Sequence, residues 1–351
     1  MAYCGKGADV ATSNKKGWLN GMRFTRNRRG FIALIIFGAL FVLSLGAEFL
    51  ANDRPLIVRY KNNFYFPVFK NYSELLFDGE FDINADYRDP YIIEKINADG
   101  WMLMPPIAFS YNTINYDLPS PAPSPPTPAN ILGTDDSGRD VAARLIYGFR
   151  ISVLFGFILT IICSIIGVTL GALQGYYGGL FDLVFQRFIE VWAGMPTLFI
   201  LIILSSIIEP TFWWLLAINL LFGWMGLVGM VRAEFLRARN FEYVLAARAM
   251  GMSHARIIFL HILPNALGPA LSQFPFILAG SITILTSLDF LGFGLPVGSP
   301  SLGELLKQAK ANLQAPWLGV SVFTVLAVSL ALLVWTGEAI RDAFDPRSRA
   351  R

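Results

Sequence analysis

The sequence has few of the residues that build metal or redox sites. Only two cysteines and two histidines occur in 351 residues. Cys4 lies in a basic N-terminal tail and Cys163 lies inside an apolar run, and no CxxC or Cys/His cluster is present. We therefore expect neither a disulfide nor a metal site.

Charge and catalytic motifs are also scarce. Only 15% of the residues are charged, against about a quarter in ordinary soluble domains. The chain has no GxxxxGK[ST] phosphate loop, no GxSxG and no HExxH, which argues against its own ATPase site, a serine hydrolase and a zinc protease. What is abundant is apolar sequence, at 54% of the residues. This composition indicates a membrane protein that binds no cofactor of its own.

Six apolar runs are each long enough to cross a bilayer. A hydrocarbon core of roughly 30 Å needs about 20 helical residues, and in lipid only helices or closed barrels satisfy every backbone polar group. The sequence therefore predicts an all-α integral membrane protein with six spans. No cleavage site follows the first run, so we predict a retained helix rather than a signal peptide. The runs are Gly30–Leu50, Ile151–Leu173, Leu183–Ile208, Phe212–Leu236, Leu267–Leu291 and Trp317–Glu338.

Basic residues predict the orientation. They concentrate in the tail 1–29, in the loop 237–264 with its flanks, and in the tail 339–351. Six spans place all three segments on one side, and the positive-inside rule makes that side the cytoplasm. The segment 51–149, with 13 acidic residues, then forms a large external insertion. The remaining domain is a five-helix core, residues 150–338.

The insertion has an aromatic part and a proline-rich part. Aromatics recur between Tyr60 and Tyr116, which predicts a small folded subdomain with these rings as its core or, alternatively, as a binding surface. Six prolines in ten residues, Pro119 to Pro128, predict an extended spacer.

An acidic motif, GTDDSGRD, precedes the second span. A calcium loop is one interpretation, but the pattern lacks the terminal Glu and includes a cation. A capped start of a short amphipathic helix is the other, and it is favoured because Asp and Ser cap helices well. The residues concerned are Asp135, Asp136, Gly138, Arg139 and Asp140.

Charged and helix-disturbing residues also occur inside the apolar runs. Arg187, Glu190 and Asp289 are candidates for a translocation path or for structural pairs, and Arg187 and Glu190 have helical spacing. Snorkelling is the interpretation favoured for Arg187 and Glu338. Glycines at four-residue spacing predict close helix packing, and prolines predict kinks. These residues are Gly167, Gly171 and Gly175, with Pro196, Pro269 and Pro275.

The stretch Leu245 to Gly268 interrupts the apolar sequence between spans four and five. Good helix formers run from Phe241 to Met250, and Gly251 suits a left-handed cap. Ser253 is predicted to cap a second short helix, and Pro264 to disrupt it before span five. Physical reasoning leaves two alternatives: a hairpin on the membrane surface or a docking element for a partner.

The same stretch resembles the cytoplasmic "EAA" loop of ABC-importer permeases, which has EAA, three residues, Gly, and later LP. Ala246, Ala247, Gly251 and Pro264 match, whereas Leu245 stands at the Glu position with Glu242 three residues earlier, and His261 replaces an Ile. Four further segments resemble the dipeptide/oligopeptide (C-type) subgroup, and the long insertion is similar to the microcin C/oligopeptide branch. The four segments are LGTDDSGRDVAARLIYGFRIS, GYYGGLFDLVFQRFIEVWAGMPTLF, SLDFLGFGLPVGSPSLGELL and GEAIRDAFDPR.

The resemblance implies a type I permease of a bacterial inner membrane, with both termini in the cytoplasm. It would pair with a second homologous permease, a periplasmic solute-binding protein, a peptide substrate, and two ATPase domains or one tandem ATPase that carry ATP-Mg. No nucleic acid is expected. Transport of nickel or a glycoside, a self-sufficient ion-driven carrier and an integral-membrane enzyme using the insertion remain alternatives. Coupling to the ATPase would fall on Glu242, Ala246, Ala247, Gly251, Ser253, Arg256 and Pro264.

Overall fold

The computed structural model describes Phe24 and residues 27 to 344. Most of the predicted basic tail and the last seven residues of the C-terminal tail therefore lie outside the described residues. In chain order the elements are α1 (Arg28–Leu45), α2 (Ala47–Leu50), β1 (Ile57–Tyr60), β2 (Asn63–Tyr65), α3 (Pro90–Asp99), β3 (Gly100–Leu103), α4 (Val141–Tyr177), α5 (Gly179–Ala193), α6 (Thr197–Ile207), α7 (Phe212–Gly223), α8 (Met225–Ala238), α9 (Glu242–Ala249), α10 (His254–Arg256), a π-helical segment (Ile257–Ile262), α11 (Leu263–Leu291), α12 (Leu302–Ala311) and α13 (Pro316–Phe344).

Five helical stretches in the described residues are long and apolar enough to cross a membrane. A sixth span results when the bent pair α5 and α6 is counted as one, so the spans agree with the six predicted from the sequence. Three of them are clearly longer than expected, including the sixth, which runs from Pro316 to Phe344. The second starts at Val141 rather than Ile151, and the fifth runs without interruption from His254 to Leu291.

The third span is broken. Helices α5 and α6 meet at an angle of 69°, with Pro196 at the N-cap of α6. Proline has no N–H to continue the ladder from α5, so the break predicted for Pro196 is confirmed. Pro269 and Pro275 lie inside α11, which continues through both.

The insertion between the first two spans departs from the all-α prediction. It contains a three-stranded antiparallel sheet in the order β2–β1–β3. The strands follow a period of two: Val58 and Tyr60 are buried, while Arg59 between them is exposed. Phe77, Tyr87 and residues of α3 complete a small core with them. The predicted folded subdomain is therefore present, and only some of its aromatics are core.

The proline-rich segment is more than a spacer. Ser124 in its centre is fully buried. Its backbone N–H donates to the Thr134 hydroxyl at 2.9 Å, and its carbonyl accepts the Thr134 N–H at 2.9 Å. These two bonds fix the segment against the acidic motif that precedes α4.

Contacts divide the chain into two compact units. Of the described residues, unit 1 contains those up to Gly38, Leu154–Ile284 and those from Val328. Unit 2 contains Ala39–Val153 and Leu285–Ala327. Unit 1 therefore holds the stretch that resembles the permease loop, and unit 2 holds the insertion and the acidic motif.

Candidate docking site

The corner at Gly251 is the centre of the candidate site in unit 1. Helix α9 ends in a left-handed glycine, with φ of +72° at Gly251. The Gly251 N–H donates to the Arg248 carbonyl at 2.9 Å and the Met252 N–H to the Ala247 carbonyl at 3.1 Å, which closes the last turn. A side chain at Gly251 would meet no atom within 4 Å. The predicted cap is confirmed, and the space beyond it is open.

The inner face of α9 is closed by apolar packing. Val244 and Ala247 are 0% and 2% exposed. They pack in one cluster with Phe235 of α8 and with Ile257 and Ile262 of the second arm. The small Ala247 side chain therefore sets how closely α9 packs on its own chain. Ala247 therefore faces the chain's own core, and its part in coupling to an ATPase stays a prediction.

The outer face of α9 is open and partly apolar. Leu245 and Met250 are 49% and 74% exposed. Between them, Ala246 is exposed and small, and Glu242 is exposed one turn earlier. A contiguous exposed apolar surface on a loop predicted to lie outside the bilayer is typical of a protein–protein contact. This surface, Glu242–Gly251 on its outer side, is called the docking face below.

A buried tyrosine holds the corner from the end of α4. Tyr176 is 3% exposed, and its hydroxyl lies 2.7 Å from His254 Nδ1. The Arg248 guanidinium lies 5.0 Å from the centre of the same ring, a cation–π geometry. Tyr176 thus contacts both arms of the corner. Sequence reasoning missed it because it lies 78 residues from His254.

The second arm differs from prediction in two respects. Ser253 occupies the N-cap of α10, but its side chain makes no capping hydrogen bond. Pro264 does not end the arm, because a π-helical segment leads directly into α11. A wider π turn changes which carbonyl each N–H meets, and a proline in the first turn of α11 needs no donor there. Arg256 is exposed beside this segment.

Helix α8, which carries the corner, is held closely against α4 and α5. A Cβ at Gly171 would lie 2.8 Å from the Val228 carbonyl oxygen, and one at Gly175 would lie 2.6 Å from the Arg232 carbonyl oxygen. The close packing predicted for this glycine series is therefore present. Arg232 also makes a two-pronged pair with Asp182 of α5, at 2.5 and 2.7 Å. This geometry fixes the direction in which α8 enters the corner.

The acidic motif in unit 2 is a capped helix start. Asp135 is fully buried and accepts the N–H groups of Ser137 and Arg139 at 2.9 Å. Asp140 accepts the Ala143 N–H at 2.7 Å and so caps α4. Gly138 has a positive φ of +80°, and Asp136 is exposed. The structure favours the cap, because the carboxylates of Asp135 and Asp140 accept backbone N–H groups of the turn and of the helix start.

A buried cation, Arg144, links the acidic motif to Glu304 in one polar cluster. Its side chain is fully buried and donates to the Glu304 carboxylate at 2.9 Å and to the Ser299 carbonyl at 3.1 Å. Asp135 lies 3.5 Å from its Nε, and Arg139 pairs with Asp135 at 2.7 Å. We call Asp135, Arg139, Arg144 and Glu304 the ion cluster. Arg144 was not singled out from the sequence, because its partner Glu304 lies 160 residues away.

Buried amides extend the ion cluster. Asn130 donates to Asp140 at 2.8 Å and accepts from the Asn115 amide at 2.8 Å. Burial raises the pKa of Asp140 above its ordinary value, and the hydrogen bonds that it accepts from the Ala143 N–H and the Asn130 amide partly oppose this shift. The start of α4 is therefore fixed by polar groups from three separate chain segments.

The charged residues within the spans are locally paired. Arg187 and Glu190 form an ion pair at 2.5 Å on an exposed surface of α5, as their spacing predicted. Asp289 is buried and accepts from the Ser301 hydroxyl at 2.5 Å and from the Leu295 N–H at 2.7 Å. These bonds fix the loop after α11, so the geometry favours the structural alternative for Asp289. Glu338 is exposed.

Comparison with known proteins gives the chain its family. Residues 167–350 match the family "Binding-protein-dependent transport system inner membrane component". The inner membrane ABC transporter permease protein YejE of Escherichia coli is 60% identical over 92% of this chain and 95% of its own length. The peptidoglycan transport system permease protein YejE of Agrobacterium fabrum is 52% identical over 97% of this chain and 94% of its own. The oligopeptide transport system permease protein OppC of Lactococcus lactis is 35% identical over 65% of this chain and 79% of its own.

These relatives confirm the resemblance read from the loop motif and the prediction of a transport component rather than an enzyme. They agree with the apolar helices that make the chain a multi-pass membrane protein. The chain belongs to the family of inner membrane components of binding-protein-dependent transport systems.

Proposed function

We propose that the chain is the permease subunit of an ATP-driven importer of peptides, and that the docking face is the contact through which an ATPase subunit drives it. The observation that carries the proposal is the two-sided construction of α9. Its inner face is immobilised by the apolar cluster around Phe235, while its outer face ends in an exposed, sterically open Gly251. A force applied to the outer face is transmitted to α8 and α11 because α9 is packed on both.

Peptides are the proposed substrates because the names of two relatives state that they transport such molecules. One is a peptidoglycan transport permease and the other an oligopeptide transport permease. Peptides that contain cell-wall building blocks are therefore the first class to assay. Microcin C-like peptides, expected from the length of the insertion, are the second.

The proposed assembly contains a second homologous permease, two ATP-binding domains or one tandem ATPase carrying ATP-Mg, and a periplasmic solute-binding protein. Both termini and the docking face would lie in the cytoplasm, as the basic segments predict. Within the docking face, Ala246 and Gly251 give a partner close access, whereas Glu242 and Arg256 offer charges at its edges. Ser253 and Pro264 shape the second arm.

The experiment is uptake of a labelled peptide in cells whose only copy of the permease is Gly251→Glu. A carboxylate without a partner at a close contact costs several kcal/mol, so uptake should fall by more than about tenfold. Immunoblotting of membranes should show normal insertion, since a side chain at this position meets no atom of its own chain.

A matched control distinguishes a loss of partner contact at the Gly251 corner from a general effect of backbone strain. Gly179 has a φ of +60°, is exposed, and also has open space around its Cβ, but it is the first residue of α5. Gly179→Glu adds the same charge and the same backbone strain and should retain most uptake. Full uptake by Gly251→Glu would contradict the proposal, and so would equal losses in the two variants.

A further inference from the structure

A loop of the insertion, Phe66–Lys70, carries aromatic rings that are largely exposed. Phe66 and Phe69 are 44% and 75% exposed. The loop is a single tight turn, because the N–H groups of Phe69 and Lys70 both donate to the Phe66 carbonyl, at 3.1 and 3.2 Å. Lys70 is exposed next to the rings. Two phenyl rings and a cation are thus presented together by a rigid turn.

The position of this loop follows from the end of the first span. The short helix α2 carries Glu48, which pairs with Arg150 of α4 at 2.8 and 3.0 Å. The same end is fixed by the Tyr147 hydroxyl, which donates to the Ala51 carbonyl at 3.0 Å. A charged pair is costly in hydrocarbon and is partly exposed here, at 43% for Glu48. It therefore marks the level at which the hydrocarbon gives way to lipid headgroups.

Phe69 lies at that level. Its ring is in edge contact with Phe49, the residue after Glu48, with the ring centres 5.7 Å apart. Phe49 is itself 47% exposed and lies in α2, the short helix that follows the first span. The exposed apolar surface of Phe69 is therefore continuous with that at the end of this span.

We propose that the loop Phe66–Lys70 anchors the insertion to the bilayer interface, with Phe66 and Phe69 in the headgroup and upper acyl region and Lys70 at the lipid phosphates. Aromatic rings and lysines are the side chains that favour this zone. A second cation is nearby, since Arg54 hydrogen-bonds to Asn71 directly after the loop. The occupant is the lipid surface rather than a protein, because the exposed rings continue the surface of a span.

The anchor would have a mechanical consequence. The loop follows β2 and lies within the chain segment that forms the subdomain core, and residues 51–56 connect this subdomain to α2. A second attachment to the bilayer restricts how the subdomain turns about that short connection. This inference concerns the membrane, not the ATPase contact, so its failure leaves the proposed function untouched.

The test is site-directed spin labelling of the full chain, co-purified with its partner subunits and reconstituted in lipid nanodiscs. The background is Cys4→Ser with Cys163→Ala, and single cysteines replace Phe66, Phe69 or Lys70. Accessibility to oxygen, which concentrates in lipid, is compared with accessibility to a water-soluble nickel chelate. The variant labelled at position 70 retains both Phe69 and Phe49, so it reports on the loop while their ring contact is intact.

Two reference positions calibrate the measurement within unit 2. Val42, which is 65% exposed on α1, supplies the lipid value, and Asn97, which is exposed on α3, supplies the water value. We expect labels at positions 66 and 69 to favour oxygen over the chelate, towards the Val42 value, and the label at 70 to fall between the references. Values like that of Asn97 would overturn the proposal. Exclusion of both reagents would also overturn it, because a protein partner would then cover the loop.

Discussion

The docking face in unit 1 and the ion cluster in unit 2 are built on opposite principles. Around the docking face, α9 is held by aliphatic and aromatic side chains, and the polar contacts are few, such as Tyr176 with His254. In the ion cluster, the start of α4 is held by Arg144 and its carboxylates, with almost no exposure of the guanidinium. One site is closed by apolar burial and open on its outer side. The other is closed by ion pairs, and its Arg144 and Asp135 side chains are fully buried.

This difference predicts how each site responds to amino-acid substitution. Apolar packing is not directional, so the docking face tolerates conservative changes on its inner side if volume is kept. A buried ion network is directional and costly when half satisfied, so it fixes one geometry and tolerates little. The docking face, which must receive a partner, is therefore supported by apolar packing. The start of α4, a long membrane helix, is fixed by the ion cluster.

The largest effect should come from breaking the ion cluster. Arg144→Met removes the nearest cation of Glu304 and the second cation of the buried Asp135, and losing one member of a buried pair costs about 3–5 kcal/mol. Asp135 still pairs with Arg139 in this variant, so we expect the loss of unfolding free energy to lie near the lower end of this range. Thermal unfolding of the detergent-solubilised protein is the measurement.

Arg237→Met is the matched control for this change. Its pair with Glu234 lies on the surface, with the arginine side chain 68% exposed, so the loss should stay below about 0.5 kcal/mol. Equal destabilisation by the two variants would remove the contrast between a directional cluster and an apolar scaffold.

A smaller effect should come from the polar contact of the docking site. Tyr176→Phe keeps the ring beneath Arg248 but removes the hydroxyl that faces His254, and a hydrogen bond of this kind contributes about 1 kcal/mol. The neighbouring Tyr177→Phe, at a ring that is 56% exposed, serves as control and should change the unfolding temperature less. A loss at Tyr176 as large as that at Arg144 would show that the corner also depends on a polar network.

The sequence predicted the docking corner because its signals are local. Gly251 needs a left-handed conformation, and the helix formers before it are adjacent in the chain, so spacing alone placed the cap. The sequence did not show whether Ala247 faces the chain's own core or a partner, because a small side chain on an apolar helix face suits either contact. The family pattern pointed to these residues without distinguishing inner from outer side chains.

The ion cluster was predicted only in part, for the opposite reason. The cap at Asp140 is local and was favoured from the motif. The burial of Arg144 was not predicted. Its partners, Glu304 and the Ser299 carbonyl, are distant in sequence and are brought to it only by the fold. Strands β1 to β3 were missed because segments of three or four residues are too short for alternation to be distinguished from a loop.

Cross-linking from two adjacent alanines of α9 tests the central claim most directly. Ala246 is exposed on the docking face, whereas Ala247 is 2% exposed on the inner face. Each is replaced by cysteine in the Cys4→Ser, Cys163→Ala background, and a short thiol-reactive photo-cross-linker is attached in membranes that contain the whole transporter. We predict that the label at position 246 captures the ATPase subunit and that the label at 247 does not. Capture of the ATPase from 247 alone, or from neither position, would contradict the assignment of this face as the coupling contact.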